Sequence, residues 1–400
     1  MKKLRIAIVC DSVTSYGGGS SVSTLRFSEL LSKKGHHIVL FSSKSPKEKK
    51  IDFYKGIKVY RFPSFLMIKS RETVYFSLPF RKKIKMIFEK EKIDILHCML
   101  PTFISAAAIK AARELGIPVV FHSHTQPESW IIYFPKFFQK ESIVKIGYRY
   151  IISQYKKADL VICPTKFGER LIKHYGLKKR TEAISNGINL KKFKKIKNPN
   201  KYSAKFALSP ESKKLLFVGR LDPDKNASLI IKAAPLIKKK FDNFEVCLVG
   251  EGNLKEDFKN LARKLGVEDK IKFLNRVSDE DLIKVYNISD IFILPSFTEL
   301  EGLVVLEAMA CGKPILISNS KISASKYFVN GNGFLFDPYD PKDLAKKCLK
   351  LLKNEKLMKK MGEKSYKDAK EYNINKCVSK LEKVYLSLLK KAGKIQETES

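Results

Sequence analysis

Short apolar runs recur along the chain, and each gives way to a segment of helical character. Residues 4–10, 37–42, 94–98, 118–122 and 159–163 form a first series, and residues 214–218, 245–249, 271–274, 291–294 and 314–318 a second. These runs are mostly apolar rather than regularly alternating, as strands buried on both faces require. Between two of them, Leu254, Phe258, Leu261 and Leu265 recur on one face of a helix. Strands alternating with helices predict parallel sheets with helices on both faces. The helical stretch after the first run should stop near Lys33-Lys34-Gly35, where cations and a glycine suit a helix end. The two series are separated by the polar, basic stretch 189–212, which carries two prolines and reads as a linker. The sequence therefore predicts an α/β fold of two doubly wound domains of similar size. Ligands should bind beyond the carboxyl ends of the strands, in a cleft between the domains.

Charge narrows the partners. The chain of 400 residues carries 78 Lys plus Arg against 41 Asp plus Glu, a net charge of +37. Residues 1–195 hold 39 cations and 14 acids (+25), and residues 196–400 hold 39 and 27 (+12). A uniform compositional bias would divide evenly, so the first half has its own reason to be positive. An anionic surface or phosphorylated ligand is implied. A nucleic acid is disfavoured, because no recognised binding motif accompanies the cations. Cys10, Cys98, Cys163, Cys247, Cys311, Cys348 and Cys377 include no CxxC pair and lie mostly in apolar runs. They read as buried free thiols in a reducing compartment. The opening MKKLRIAIVCDS imitates a secretion signal, but its apolar run is short and Asp11 ends it. No uncharged apolar stretch reaches the about 18 residues of a membrane span. A cytoplasmic protein, peripheral at the cytoplasmic face of the membrane, is expected.

Three strand ends carry candidate chemistry. In FVGRLDPDKN, residues 217–226, a strand delivers Arg220, and Lys225 follows in the same loop. A guanidinium and an ammonium so placed can clamp a diphosphate. Asp222 and Asp224 form a DxD that could suggest a divalent metal, but they lie between two phosphate-seeking cations, and no metal is expected. LVGEGNL, residues 248–254, is a strand-to-glycine turn where Gly250 and Gly252 let a backbone pass close to a ligand. In PSFTELEGLVVLEAMACGKP, residues 295–314, Glu299 precedes a helix that begins near Gly302 and Glu307 sits on its second turn. The amides at that helix start, around Gly302, Leu303 and Val304, can hold phosphate oxygens. Carboxylates suit sugar and ribose hydroxyls, each charge-assisted bond contributing about 1.5–3 kcal/mol.

Taken in order, VGRLxxxK, VGEGxL and ExxGLVxLEAMACGxP resemble the donor domain of nucleotide-sugar glycosyltransferases of family 4, with the GT-B fold of two facing Rossmann-like domains. Gly18-Gly19 matches that family's glycine loop, Ser185–Asn189 resembles its NGID segment with Asn189 in place of Asp, and residues 372–389 resemble its final helix, which returns to the first domain. The resemblance implies an N-terminal acceptor domain over 1–195, a donor domain over 196–375 and a returning helix and tail over 376–400. It implies retaining transfer from a nucleotide sugar without a cofactor or obligatory metal. By position, Arg220 and Lys225 hold the diphosphate, Glu299 the sugar and Glu307 the ribose. Gly18 and Gly19 leave room for phosphate and acceptor, and Arg276-Val277 lie near the base.

On the acceptor side, PVVFHSHTQPE (residues 118–128), followed by Trp130 and Tyr133, resembles the HT-x-x-E-x…Y pattern of family 4 enzymes that glycosylate diacylglycerol. His124 matches that subgroup's active-site histidine, and Glu128 its acceptor-side carboxylate. His97, in IDILHCMLP, matches the first His of an HxH whose second member is Met99 here. The resemblance implies a hexose, glucose from UDP-glucose, moved to a membrane lipid. An alternative is a polysaccharide or other glycan acceptor. Residues 80–88 place Phe80, Ile84, Ile87 and Phe88 on one helical face with cations between them. Such a helix can lie on an anionic bilayer or cover a sheet. The aromatic run Trp130, Tyr133, Phe134, Phe137, Phe138, Tyr148, Tyr150 and Tyr155 can serve a lipid path or a core.

Overall fold

A computed structural model describes residues 2–13, 18–46, 48–68, 74–78, 80–135, 137 and 139–395. Ser15, Tyr16 and Gly17, just before the Gly18-Gly19 pair, and Phe138 lie outside the described residues. The chain divides into two compact units. Unit 1 comprises residues 1–127, 138–186 and 375–400, and unit 2 residues 128–137 and 187–374.

Unit 1 contains β1 (Arg5–Val9), α1 (Gly19–Lys33), β2 (His37–Ser43), β3 (Ile51–Tyr54), β4 (Ile57–Phe62), β5 (Ser64–Ile68), β6 (Val74–Ser77), α2 (Arg81–Lys90), β7 (Ile95–Cys98), α3 (Phe103–Glu114) and β8 (Val119–His122). After the short α4 (Glu128–Ile131), which packs with unit 2, come α5 (Glu141–Tyr155), β9 (Leu160–Cys163), α6 (Lys166–His174) and β10 (Thr181–Ala183). The main sheet runs β10-β9-β8-β7-β1-β2-β4-β3 and is parallel except for β3. β5 and β6 form a separate antiparallel hairpin. The apolar runs of the sequence become the central strands, with side chains buried along β1, β7, β8 and β9.

Unit 2 follows with β11 (Lys213–Val218), α7 (Ser228–Lys238), β12 (Phe244–Val249), α8 (Lys255–Lys264), β13 (Ile271–Leu274), α9 (Asp279–Ile288), β14 (Ile291–Leu294), α10 (Leu303–Ala310), β15 (Ile315–Ser318), β16 (Gly333–Phe336), α11 (Pro341–Leu352) and α12 (Glu355–Ala369). Its sheet is wholly parallel, in the order β13-β12-β11-β14-β15-β16. The strand order reverses at β11, which lies between β12 and β14. That is the switch point where such sheets leave a crevice at their carboxyl edge.

The expected linker is a packed part of unit 2. Phe193, Phe206 and Leu208 are buried in its core, and two 3-10 turns (Pro199–Tyr202 and Ala204–Phe206) fold the stretch back. The chain joins unit 2 at Ile188, whose amide donates to the Tyr372 carbonyl at 2.7 Å and whose carbonyl accepts from Ile374 at 3.1 Å. From Asn375 the final helix, α13 (Ile374–Lys391), packs with unit 1. There Glu382, 2% exposed, is held twice. His36 accepts from the Leu4 amide through Nδ1, so its Nε2 carries a proton and donates to Glu382 at 2.8 Å. Lys34 lies 2.5 Å from the other carboxylate oxygen. All seven cysteines are free and buried. Among the described residues no helix is long and apolar enough to cross a membrane.

Candidate active site

The carboxyl edge of the unit 2 sheet gathers the donor-side residues. β11 ends at Val218 and delivers Arg220, whose guanidinium donates to Asp222 Oδ2 at 2.9 Å and to Asp224 Oδ2 at 3.1 Å. Lys225 donates to Glu299 Oε1 at 2.7 Å and lies 3.3 Å from Asp224 Oδ2. Glu299 stands in the loop after β14, so this ion pair bridges the switch point. Burial would lower the Lys225 pKa, but Glu299 and Asp224 reverse the direction and hold it raised, so the ammonium stays charged. The DxD carboxylates are engaged by cations and donors: Asp222 Oδ1 also accepts from the Asn253 amide at 3.1 Å. Asp224, 1% exposed, joins Arg220 and Lys225. Among the described residues no group of three His, Cys, Asp or Glu side chains is arranged to hold a metal ion.

The glycines act by close approach. Gly250, with φ +138°, lies so near the β11 exit that a Cβ on it would sit 2.0 Å from the Gly219 carbonyl oxygen. A Cβ on Gly252 would meet the Leu221 backbone at 2.3 Å. Gly302 caps α10 with φ +94°, a left-handed conformation that glycine adopts without strain. It leaves the amides of Leu303 and Val304 at the helix start. Glu307 is buried on the second turn of α10, and Tyr286 donates to its Oε2 at 3.1 Å. Arg276 and Val277 follow β13, Arg276 exposed and Val277 packed on the core. Unit 2 thus brings Arg220, Lys225, Gly250, Glu299, Gly302, Glu307 and Arg276 to one edge of one sheet. Gly18 and Gly19 belong to unit 1, at the start of α1 after β1. Both are exposed, and a Cβ on Gly19 would meet nothing within 4 Å.

In unit 1 the register of β7 and β8 sets His97 opposite Val120, so His97 and His122 share a face of the sheet. Their rings stack at 5.5 Å and 7°, and His122 stacks in turn on His124 at 4.3 Å and 25°. Phe27 of α1 lies 5.7 Å from the His122 ring. His97 Nδ1 is 2.6 Å from the Tyr385 hydroxyl of α13, which fixes its ring. His97 Nε2, both His122 nitrogens and His124 Nε2 are buried and make no hydrogen bond. Such groups cost about 1–3 kcal/mol each and persist where function requires them. His97 is therefore the buried end of a stack with His122 in its middle and His124, partly exposed, at its other end. Sequence reasoning missed His122 and Tyr385; the HSH spacing at a strand exit was the available signal for His122. Glu128 and Trp130 lie in α4, which belongs to unit 2, and His124 belongs to unit 1.

Burial lowers the His97 pKa to about 3, with His124 adding to the shift, and lowers that of His124 to about 4. His122 moves in the same direction. Depressed histidines bind fewer protons folded than unfolded, so their contribution is complete above about pH 6.5 and is lost as pH falls toward the folded values. Asp11, raised to about 6 by burial against hydrogen bonds from Thr102 and Ser43, acts oppositely between about pH 4 and 6. Three histidines outweigh one aspartate. Lowering pH from 7.5 to 5.5 should therefore lower stability, the loss at the histidines exceeding what Asp11 returns. Thermal unfolding followed by circular dichroism across that range should show the loss; a constant Tm would contradict neutral burial of the stack.

The surface features divide differently from either expectation. The apolar face of α2 is spent on the core: Ile84, Ile87 and Phe88 are buried and Phe80 packs beside them. An amphipathic insertion of this helix into a bilayer is thereby excluded, although Arg81, Lys82 and Lys83 remain outside. In the aromatic run, Tyr148 and Tyr155 are core residues, while Trp130, Tyr133, Phe134, Phe137 and Tyr150 are exposed.

Known proteins resemble the chain over nearly its whole length. Residues 17–192 match the family described as Glycosyltransferase Family 4, and residues 199–368 that described as Glycosyl transferases group 1. Alpha-monoglucosyldiacylglycerol synthase of Streptococcus pneumoniae is 28% identical over 320 residues, 78% of this chain and 70% of that protein. A synthase of the same name from Acholeplasma laidlawii is 23% identical over 402 residues, 98% of this chain and 99% of that one. Among solved structures, sucrose-phosphate synthase from Thermosynechococcus elongatus superposes with TM-score 0.81 at 19% identity, covering 97% and 99% of the two chains. Anabaena HepE in complex with UDP gives 0.77 at 18% identity, covering 96% and 100%. At these identities the structural likeness is one of fold.

Proposed function

The chain belongs to the GT-B glycosyltransferases, with a family 4 domain followed by a group 1 domain, and from that premise we propose that it moves glucose from UDP-glucose to the hydroxyl of a diacylglycerol-like lipid, with retention, at an anionic membrane surface. The observation that carries the donor half is the Lys225–Glu299 pair at the switch point, with Arg220 beside it on Asp224. Arg220 and Lys225 hold the diphosphate, and Glu299 and Glu307 hold the sugar and the ribose. The bond from the anomeric carbon to phosphate breaks while the acceptor oxygen bonds to that carbon from the same face. The acceptor proton passes to the leaving phosphate oxygen. Charge grows on the diphosphate as it leaves, so the two cations act mainly on the transition state. With Asp222 and Asp224 serving these cations, no metal is required in this reading. His124 borders the acceptor hydroxyl.

The lipid half rests on the two synthases named for a glucosyldiacylglycerol product and on the surface of unit 1. Lys145, Ile146, Arg149 and Tyr150 are exposed along α5, in the unit whose sequence holds most of the net charge. Each cation near an anionic membrane contributes about 1 kcal/mol. The protein then works peripherally, at the cytoplasmic face.

Purified protein should release UDP from UDP-glucose only when diacylglycerol is supplied in phosphatidylglycerol vesicles, and added salt should reduce its vesicle-bound fraction. Turnover with a water-soluble sugar phosphate and none with lipid would remove the lipid half and leave the donor half standing.

A further inference from the structure

The amino edge of the unit 2 sheet, a strand's length from the donor loops, holds a cleft of about 400 Å³. Asp290 reaches it just before β14, Lys313 just before β15, and Glu355, Met358 and Lys359 from the start of α12. Lys195 stands at its rim: a Cβ on Gly312, which also lines the cleft, would lie 3.1 Å from the Lys195 ammonium.

The charges around this cleft do not cancel. Its two acids share one lysine, since Lys213 lies 3.6 Å from Asp290 Oδ1 and 3.4 Å from Glu355 Oε1. Glu355 is one turn before Lys359 on α12, yet it faces Lys213. Among the described residues Lys195, Lys313 and Lys359 have no carboxylate within ion-pair reach. Lys313 donates to the Asn287 carbonyl at 2.7 Å, and Lys195 lies 5.2 Å from the centre of the Tyr366 ring, which Lys370 shares at the same distance. The Lys313 bond places a cation at the end of α9, as helix dipoles favour. That reason does not extend to Lys195, which sits on an arene, or to Lys359 on the second turn of α12, where the dipole disfavours a cation. Burial pulls the Lys313 ammonium down to about 8, Cys311 and Asp290 resist, and Lys195 adds to the fall. Four lysines against two carboxylates leave two positive charges uncompensated.

We propose that this cleft is a second anion site, for a phosphate monoester, separate from the donor loops, with Lys195, Lys313 and Lys359 around the phosphate oxygens. A phosphate monoester carries about −1.5 to −2 charge at pH 7, which matches the uncompensated charge. Lysine ammoniums hold phosphate as point charges. Asp290 and Glu355 on one wall repel a polyanion, so a single phosphate group fits better than a run of them. The volume suits a small phosphorylated metabolite. The same group is the headgroup of phosphatidic acid.

Glycerol phosphate should be titrated by calorimetry into wild type, Lys313→Met, Lys359→Ala and Lys179→Ala. Lys179 is an exposed lysine of unit 1, and its variant controls for the loss of one charge. Anion sites elsewhere on this cationic chain, the diphosphate loop included, are common to all four proteins. Lys313→Met should weaken binding about tenfold or more, the effect of one charge-assisted bond. Lys359→Ala, at an exposed position, should keep the wild-type Tm and weaken binding about threefold. Lys179→Ala should change nothing. Sulfate, a dianion with no proton to exchange, gives an independent reading. Its binding at about pH 8 should draw protons onto Lys313, seen as a heat that varies with the ionisation enthalpy of the buffer. The Lys313-dependent part of that uptake should vanish at about pH 6.5, where the ammonium is already charged. Wild-type affinity in both Lys313→Met and Lys359→Ala overturns the site, and so does sulfate binding without Lys313-dependent proton uptake at pH 8. UDP affinity should be unchanged in both variants; a parallel loss would place the effect in the donor loops and overturn the separation. Sedimentation with phosphatidylcholine vesicles, with and without phosphatidic acid, separates the two sources of the group. Dependence on Lys313 confined to glycerol phosphate assigns a soluble metabolite, dependence in the vesicle assay assigns a lipid headgroup, and none in either overturns the proposal.

Discussion

Replacing Lys225 by alanine should lower kcat about 10²–10³-fold, the effect of removing one preorganised electrostatic donor from a site where charge develops. The geometry makes this residue more sensitive than an ordinary surface lysine. Its ammonium is 2.7 Å from Glu299 and 3.3 Å from Asp224, and those two carboxylates keep it protonated against the pull of burial. Without it, Glu299 loses the cation that fixes its carboxylate, which on the proposed reading is the partner of the sugar hydroxyls. Glu299→Ala should therefore reach a comparably low rate while the protein stays folded. The double variant should cost far less than the product of the two single losses, because the pair acts as a unit. Steady-state UDP release from UDP-glucose, with Tm as the folding control, measures all three. A Lys225→Ala enzyme within threefold of wild type would mean that the cation serves the loop and not the leaving group.

Much of this site could be read from sequence because its parts are local. Arg220 and Lys225 share one loop, and Glu299 and Glu307 flank one helix start, each directly after an apolar strand. What could not be read depends on partners far along the chain. Tyr133 meets Arg220 across 87 positions and His97 meets Tyr385 across 288. No local pattern encodes such meetings. The fold divides in the same way. Strands buried on both faces announce themselves, but β3 has no fully buried residue and its pattern does not separate it from a loop. The stretch 189–212 hides its buried Phe193, Phe206 and Leu208 among surface lysines, so composition suggested a linker where packing made an edge of unit 2. Amphipathicity in α2 was genuine, yet periodicity reports that one face is apolar and not what covers it. The neighbouring sheet and α3 decide that.

Gly250→Ala should abolish measurable UDP binding and destabilise the protein by about 3 kcal/mol or more, because backbone strain and steric overlap act together. The added Cβ would lie 2.0 Å from the Gly219 carbonyl oxygen, well inside the 3.0 Å that real Cβ atoms keep. The atom it meets is backbone, so no side chain can swing aside. Either the Gly250 peptide turns and gives up its hydrogen bond to the Leu274 carbonyl, 3.0 Å in the native turn, or the exit of β11 moves. That exit delivers Arg220, and a displacement of about 1 Å in a positioning element can cost about 10²-fold in rate. Tm should fall by about 6–12 °C, at about 2–4 °C per kcal/mol for a unit of this size. Gly266 separates conformation from contact. It also has a positive φ, +63°, but a Cβ there would meet nothing within 4 Å. Gly266→Ala should therefore cost only about 1 kcal/mol for the backbone conformation, with UDP binding intact. Equal Tm losses in the two variants, or calorimetric UDP binding by Gly250→Ala at wild-type affinity, would show that the close approach of the two strand exits is not what shapes the diphosphate loop. A large difference between them would locate that shape in the single carbonyl that Gly250 leaves room for.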